Sequence, residues 1–266
     1  MSDGFDLFLF STDAAAVATA VGAGVSGVVV DWERVGKRHR QAGADTQIGE
    51  DTADDLRRVR ASTAARILCR IDNTTDLLAQ QIEEAAANGA DEIVVPMVRS
   101  ANEVEAALER TGTRCGVGIL VETEAALAEL DELAALPVTR AYVGLNDLAI
   151  ERGNLNIFEP LVDGTVEEIR QHFGVPFGLA GLTVVDAGTP IPCRLLIGEL
   201  VRLDCSFSFL RRSYHADIRR RDPRREIPRL LEELDRARRR TTAEVADERE
   251  ALVDAVKEWS GILDRV

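Results

Sequence analysis

Lysine is almost missing from this chain. Only Lys37 and Lys257 stand against 30 arginines. A Schiff-base mechanism needs a desolvated lysine on a rigid element. Lys37 falls in a polar stretch and Lys257 in a terminal helical pattern, so imine and pyridoxal chemistry are excluded as expectations. Cysteine is scarce as well. Cys69, Cys115, Cys193 and Cys205 form no C-x-x-C pair, and Cys69 and Cys115 sit in apolar runs, which reads as buried free thiols in a reducing compartment. No apolar run reaches the roughly 18 residues that span a bilayer. The N-terminal residues lack the basic and apolar regions of a signal peptide. A cytoplasmic protein with no membrane partner is expected.

What the chain has in excess is acid. Its formal net charge is −14 over 266 residues. Residues 1–210 hold 17 basic against 33 acidic side chains, whereas 211–266 hold 15 against 13. An acidic body repels a phosphate backbone, so nucleic acid is not an expected partner. An anionic substrate would need a local cation, either a metal ion or a placed arginine. The arginine-rich stretch 211–240 reads as a solvated helix paired with the acidic body.

Short apolar runs alternate with longer helical patterns at a step of about 25–35 residues, the rhythm of βαβ units. The strands expected are Phe5–Phe10, Gly27–Trp32, Arg66–Ile71, Glu92–Met97, Cys115–Val121, Ala141–Leu145, Phe177–Ala180 and Ser206–Leu210. Eight nearly continuous apolar runs predict strands covered on both faces. Their number and the chain length point to a closed (β/α)8 TIM barrel over 1–221 with a C-terminal helical extension over 222–266. Helices are expected after Thr12-Asp13, over Thr52–Ser62 with a Thr52/Asp55 capping box, and over Thr74–Asn88. Others are expected after Ser100 with a second box to Glu103, then over Glu124–Leu136, Val166–Phe173 and Cys193–Leu203. Glu33–Asp51 and Glu151–Gly164 read as long loops at strand C-terminal ends. In the extension, Leu252, Val256, Trp259 and Leu263 form an apolar stripe that must pack on the barrel or on another subunit.

The chemistry of such a barrel lies at the C-terminal ends of its strands. Strand 2 ends in Asp31-Trp32-Glu33-Arg34, strand 3 in Arg70-Ile71-Asp72, strand 5 in Glu122-Thr123 and strand 6 in Asn146-Asp147. Glu122 and Asp147 follow apolar runs on adjacent strands. Two such carboxylates suit a hard divalent ion, Mg2+ or Mn2+, and Glu122 equally suits a cap for the helix at Glu124. Arg70 either binds a substrate carboxylate with its planar fork or pairs with Asp31 or Asp72. Arg211 and Arg212 follow strand 8, as mouth residues or as surface ion pairs.

Gly89-Ala-Asp-Glu-Ile-Val-Val-Pro-Met-Val, Gly118-Ile-Leu-Val-Glu-Thr, the helix Ala126–Leu136 and Tyr142-Val-Gly-Leu-Asn-Asp-Leu together resemble the HpcH/HpaI aldolase and citrate lyase β-subunit family. The resemblance covers about residues 25–150. It implies a metal-dependent carbon–carbon lyase acting through the enolate of a pyruvate-like 2-keto acid. Glu122 and Asp147 would ligate the metal, and Arg70 would bind the substrate carboxylate or enolate oxygen. Asn146 and Arg211, from their places after strands 6 and 8, are the further candidates for substrate binding. Asp31 and Glu33 match the acidic pair that orders water around the metal. The resemblance also implies a homo-oligomer with an exchanged C-terminal helix. Pyruvate aldolases of the family carry a histidine where this chain has Arg34, and His39 in the same loop is the candidate substitute. That departure keeps two alternatives open: an acyl-CoA lyase of the citryl or malyl type, and a non-catalytic barrel serving as an assembly or regulatory subunit.

Overall fold

The computed structural model describes residues 4–35, 51–210 and 212–265. Eight parallel strands close into one barrel in sequence order. They are β1 (Asp6–Phe10), β2 (Gly27–Asp31), β3 (Arg66–Arg70), β4 (Glu92–Val95), β5 (Gly116–Val121), β6 (Arg140–Val143), β7 (Phe177–Leu179) and β8 (Phe207–Leu210). Every expected strand is present, each shortened by one or two residues at one end, and β6 begins one residue earlier than expected, at Arg140.

Side chains alternate across each strand. One parity fills the barrel interior with Phe8, Val29, Leu68, Val94, Leu120, Phe207 and Phe209. The other parity, such as Leu7, Val28, Ile67, Ile93 and Ile119, packs outward on the helices in a larger core. Both faces are dry, so the runs read as continuously apolar. Along the inward parity, β2 continues from Val29 to Asp31, β3 from Leu68 to Arg70 and β5 from Leu120 to Glu122. The two-residue period therefore delivers three ionisable groups to the same mouth.

The opposite end of the interior holds a pair that the sequence did not advertise. Arg140 Nε donates to Glu92 Oε1 at 2.6 Å, and Thr139 Oγ1 donates to the same oxygen at 2.8 Å. Both ionic side chains are buried, and the guanidinium lies 4.7 Å and 4.8 Å from the ring centres of Phe8 and Phe207. Gly118 makes room, because a Cβ there would lie 2.6 Å from Glu92 Oε1 and 2.8 Å from Arg140 Cγ. Removing one partner of a buried pair leaves the other charge uncompensated. Glu92→Ala is therefore expected to destabilise the fold by about 3–5 kcal/mol, read by urea unfolding, with Glu92→Gln costing less.

Helices α1 (Ala14–Gly22), α2 (Ala53–Ser62), α3 (Thr75–Ala87) and α4 (Ala101–Thr111) follow the first four strands among the described residues. Asp13 caps α1, and the Thr52/Asp55 box forms at α2. The second expected box does not form. Ser100 makes no side-chain cap, because Glu103 turns to Arg99 N and Asn73 Nδ2, both at 2.9 Å. The single helix expected over Glu124–Leu136 is two, α5 (Glu124–Ala128) and α6 (Leu130–Ala135), broken at Glu129. The Glu129 carboxylate accepts from Ala101 N at 2.7 Å, so it serves the start of α4.

The largest correction concerns β6. The strand stops at Val143, and Leu145–Glu151 forms a helix, α7. Asp147 thus stands in the first turn of α7, not at a strand tail. The stretch 151–164 is not an open active-site loop either. It contains a 3-10 turn at Glu159–Leu161 and buries Phe158 and Leu161. Asn156 Nδ2 donates to Val256 O at 3.0 Å and Ser260 Oγ at 2.7 Å, which docks the C-terminal helix.

Helices α8 (Thr165–His172), α9 (Cys193–Arg202) and α10 (Arg212–Asp217) precede α11 (Pro223–Ala237), which packs between α9 and α1. The last helix, α12 (Thr242–Leu263), opens with a Thr241/Glu244 capping box and lies against α9. Leu252 and Val256 of its apolar stripe are buried on the chain's own barrel. Around them Arg249 bridges Glu199 (2.8 Å) and Glu167 (2.9 Å), and Arg202 pairs with the same two acids. No described helix is long and apolar enough to cross a membrane. All four cysteines are free.

Candidate active site

Asp31 and Arg70 are register partners on β2 and β3. Their side chains meet in a two-pronged pair, with Arg70 Nε 2.9 Å from Asp31 Oδ1 and Nη2 2.7 Å from Oδ2. Arg70 Nη1 lies 3.4 Å from Glu33 Oε2, and its guanidinium stacks 5.3 Å from the Phe10 ring centre. Burial alone would lower the Arg70 pKa, but Asp31, Glu33 and Glu122 outweigh it and hold the group charged. Of the two pairings open in the sequence, Asp31 is the partner and Asp72 is not.

Asp72 serves the backbone. Its Oδ1 accepts from Arg34 N (2.8 Å) and Val35 N (2.7 Å), fixing the turn that follows Glu33. Gln81 closes the other side, accepting from Asp72 N and donating to Oδ2. Asp51 supports the pair from behind by accepting from Asp31 N at 2.9 Å. Burial, with Asp31 adding repulsion, raises the Asp51 pKa.

Across the mouth, Glu122 is 3 % exposed at the end of β5. It does not cap α5, because Thr123 takes that place and accepts from Ala126 N at 3.0 Å. Instead Glu122 Oε1 accepts from Met97 N at 2.8 Å. Met97 has a φ of 51°, a strained left-handed conformation for a side-chain-bearing residue, and it aims its N–H at the carboxylate. Ala180, beyond β7, has a φ of 41°, a second strained residue at the strand ends. Burial pushes the Glu122 carboxyl up to about 8, and repulsion from Asp147 and Glu33 adds to it against the pull of Met97 N and Arg70.

Gly144, between β6 and α7, is what lets Glu122 and Asp147 share this space. A Cβ on Gly144 would overlap Glu122 Oε2 and press on its Cβ and Cδ at 2.8 and 2.9 Å. Gly144→Ala is therefore expected to displace the Glu122 carboxylate. A loss of about 10–100-fold in divalent-ion affinity should follow, by analogy with other mutations that misplace a ligand, read by Mn2+ titration. Unchanged affinity would show that Glu122 is not a ligand.

Asp31, Glu33, Arg70, Glu122 and Asp147 thus meet at one mouth. Asn146 is half-buried beside Asp147 on α7. His39 and Arg211 lie outside the described residues. Met97, Gly144 and Asp51 were missed, and Asp72, weighed from the sequence as a partner for Arg70, instead holds the turn after Glu33. Their contribution is backbone geometry and support, which a search for polar strand ends does not reach; only the Pro96-Met97 pair and the lone glycine after β6 hinted at it. Among the described residues, no group of three or more His, Cys, Asp or Glu side chains is gathered tightly enough to cage a metal ion. Two carboxylates close enough to repel each other match the habit of Mg2+ and Mn2+, which keep several waters and rely on few protein ligands. Burial and repulsion hold the Glu122 proton on, and a divalent cation beside it would favour the ionised carboxylate, which fits the same ions.

Residues 5–157, more than half of the chain, match the HpcH/HpaI aldolase/citrate lyase family, and the chain belongs to it. The family makes it a lyase or aldolase of the phosphoenolpyruvate/pyruvate barrel superfamily. None of the curated proteins is a significant sequence match. Among solved structures, the HpcH/HpaI aldolase from Desulfitobacterium hafniense DCB-2 is similar at a TM-score of 0.61 and 16% identity, over 80% of this chain and 90% of that one. The citrate synthase SbnG is similar at 0.62 and 16%, over 81% and 89%. A citrate lyase from Burkholderia xenovorans LB400 gives 0.60 and 14%, over 97% and 84%. At these identities the likeness establishes the fold.

Proposed function

We propose that this mouth is the active site of a divalent-metal-dependent carbon–carbon lyase working through the enolate of a pyruvate-like 2-keto acid. The observation that carries the reading is Glu122, a buried carboxylate crowded by Asp147 and Glu33 and faced by Arg70. Glu122 and Asp147 hold Mg2+ or Mn2+. When bound, such an ion supplies Lewis-acid stabilisation of the enolate oxygen.

The chain's own groups do the rest. Arg70 presents its Nη1 edge to the carboxylate or enolate oxygen of the substrate, and Asp31 holds the fork rigid through two hydrogen bonds. Asp31 is committed to Arg70. Glu33, 3.4 Å from Arg70 Nη1 and within the field of Glu122, is the better placed proton carrier. It accepts the hydroxyl proton of a 4-hydroxy-2-keto acid as the C3–C4 bond breaks, releasing an aldehyde, and returns a proton to C3 of the enolate. Arg34 takes no part in that transfer, because its Nη2 donates to Asp51 O at 2.7 Å. The partly buried rings of Phe10 and Tyr142 pack on the barrel interior at this end, with Phe10 beneath the Arg70 guanidinium.

Hydrogen–deuterium exchange at C3 of pyruvate and larger 2-keto acids in D2O, with Mn2+ or Mg2+, tests this without knowledge of the aldehyde. Metal-dependent exchange is expected. Its absence for every 2-keto acid would remove the enolate reading and favour a non-catalytic barrel.

A further inference from the structure

Glu103 gives up the capping box of its own helix, and its carboxylate has another use. Its Oε2 accepts from Arg99 N and from Asn73 Nδ2, both at 2.9 Å. The same Asn73 nitrogen donates to Met97 O at 3.3 Å. Both partners are acceptors, so the Asn73 amide must face them with its NH2 group, and each of its two hydrogens is used. Arg99 Nη1 reaches the same carbonyl at 3.3 Å, but from an exposed residue. Asn73 is half-buried, and Glu103 fixes the plane of its amide.

Met97, the target of that amide, is the strained residue of the mouth, with a φ of 51°. A residue with a side chain keeps such a conformation only where its surroundings impose it. Here both of its backbone groups are engaged. The carbonyl is held by Asn73, and the N–H bonds Glu122 Oε1 at 2.8 Å. The next carbonyl, Val98 O, accepts from Thr123 Oγ1 at 2.6 Å, which ties the connection after β4 to the end of β5. Asn73 itself lies three residues after Arg70, beyond the end of β3. One strand end thus supplies both the guanidinium of the mouth and the amide that holds the partner of Glu122.

We infer that Asn73, oriented by Glu103, is a positioning residue that holds Met97 in its strained conformation, so that the Met97 N–H fixes the Glu122 carboxylate opposite Arg70. The hold on Met97 stands on these contacts alone, and only its effect on metal binding rests on the active-site reading above. Without Asn73, Met97 relaxes toward an ordinary φ and turns its N–H away. Glu122 then loses the hydrogen bond that sets its orientation.

Asn73→Asp keeps the shape of the side chain and replaces its donor with an acceptor, whereas Asn73→Ala removes it. Hydrogen exchange of the Met97 amide, measured in chelator, reads the hold without metal or turnover. It should accelerate by about tenfold or more in both variants and in Glu103→Ala, the scale of one lost hydrogen bond. Mn2+ affinity should fall by about tenfold in the same variants, as it does when a partner of a metal ligand is removed. Glycine adopts a positive φ freely, so adding Met97→Gly to Asn73→Ala should restore most of the lost Mn2+ affinity, which a packing role for Asn73 would not allow. Asn102→Ala, exposed in the same turn of α4, should behave as wild type. Unchanged Met97 exchange in Asn73→Asp, Mn2+ bound by that variant as tightly as by wild type, or no rescue by Met97→Gly would overturn the inference. A wild type that binds no Mn2+ would remove the metal reading instead, and Met97 exchange would still decide whether Asn73 holds the peptide.

Discussion

Glu122→Gln and Asp147→Asn are each expected to lower metal-dependent exchange on pyruvate by about 10²–10³-fold or more, the scale on which removal of a group stabilising a developing oxyanion is felt. Both substitutions keep size and shape, so the barrel should stay folded. Glutamine at 122 can still accept from Met97 N, and its neutral amide relieves the repulsion from Asp147 and Glu33. Loss of activity without loss of stability is the signature of a ligand pair, and circular dichroism beside the exchange assay reads both. Wild-type exchange in either variant would refute the assignment of that residue.

The second large effect is on stability. In the unfolded chain Glu122 titrates near 4.5, and in the fold near 8. Between those values the native state keeps the proton and the unfolded state does not. The metal-free protein is therefore most stable below the unfolded value and loses stability as pH rises toward 8. The loss is on the order of a few kcal/mol. Asp51, also raised, adds a change of the same sign. Melting temperatures in chelator across pH 5–9 (roughly the window set by these two pKa values) should fall with pH in the wild type and stay flatter in Glu122→Gln. A divalent cation binds the deprotonated carboxylate, so its stabilisation should grow with pH. A metal-free stability that rises from pH 5 to 8 in proportion to Glu122 ionisation would contradict the burial argument.

The barrel was legible because both faces of every strand are dry, and eight apolar runs such as Gly27–Asp31 and Gly116–Val121 stand out against polar connections. Four of the five ionic site residues, Asp31, Glu33, Arg70 and Glu122, could be located at strand ends by the same logic. Asp147 was found for a reason only partly right: it reaches the mouth from the first turn of α7, not from β6. Gly144 ends the strand early to clear space for the Glu122 carboxylate, and a glycine's role as an empty volume is visible only when its neighbour is in place. The stretch 151–164 reads as a long loop at a strand end because five of its fourteen residues are Gly, Asn or Pro. Its Asn156 instead bonds a helix a hundred residues later, a contact of high sequence separation that no local pattern encodes. The Arg140–Glu92 pair was hidden for the same reason, since an arginine and a glutamate 48 residues apart read as ordinary strand starts.

Manganese titration followed by electron paramagnetic resonance tests the central claim most directly. One Mn2+ per chain should bind to the wild type, its signal should change when pyruvate or oxalate is added, and binding should be lost in both Glu122→Gln and Asp147→Asn. A wild-type chain that binds no Mn2+, or variants that bind it as tightly as the wild type, would contradict a cation held by Glu122 and Asp147 opposite Arg70.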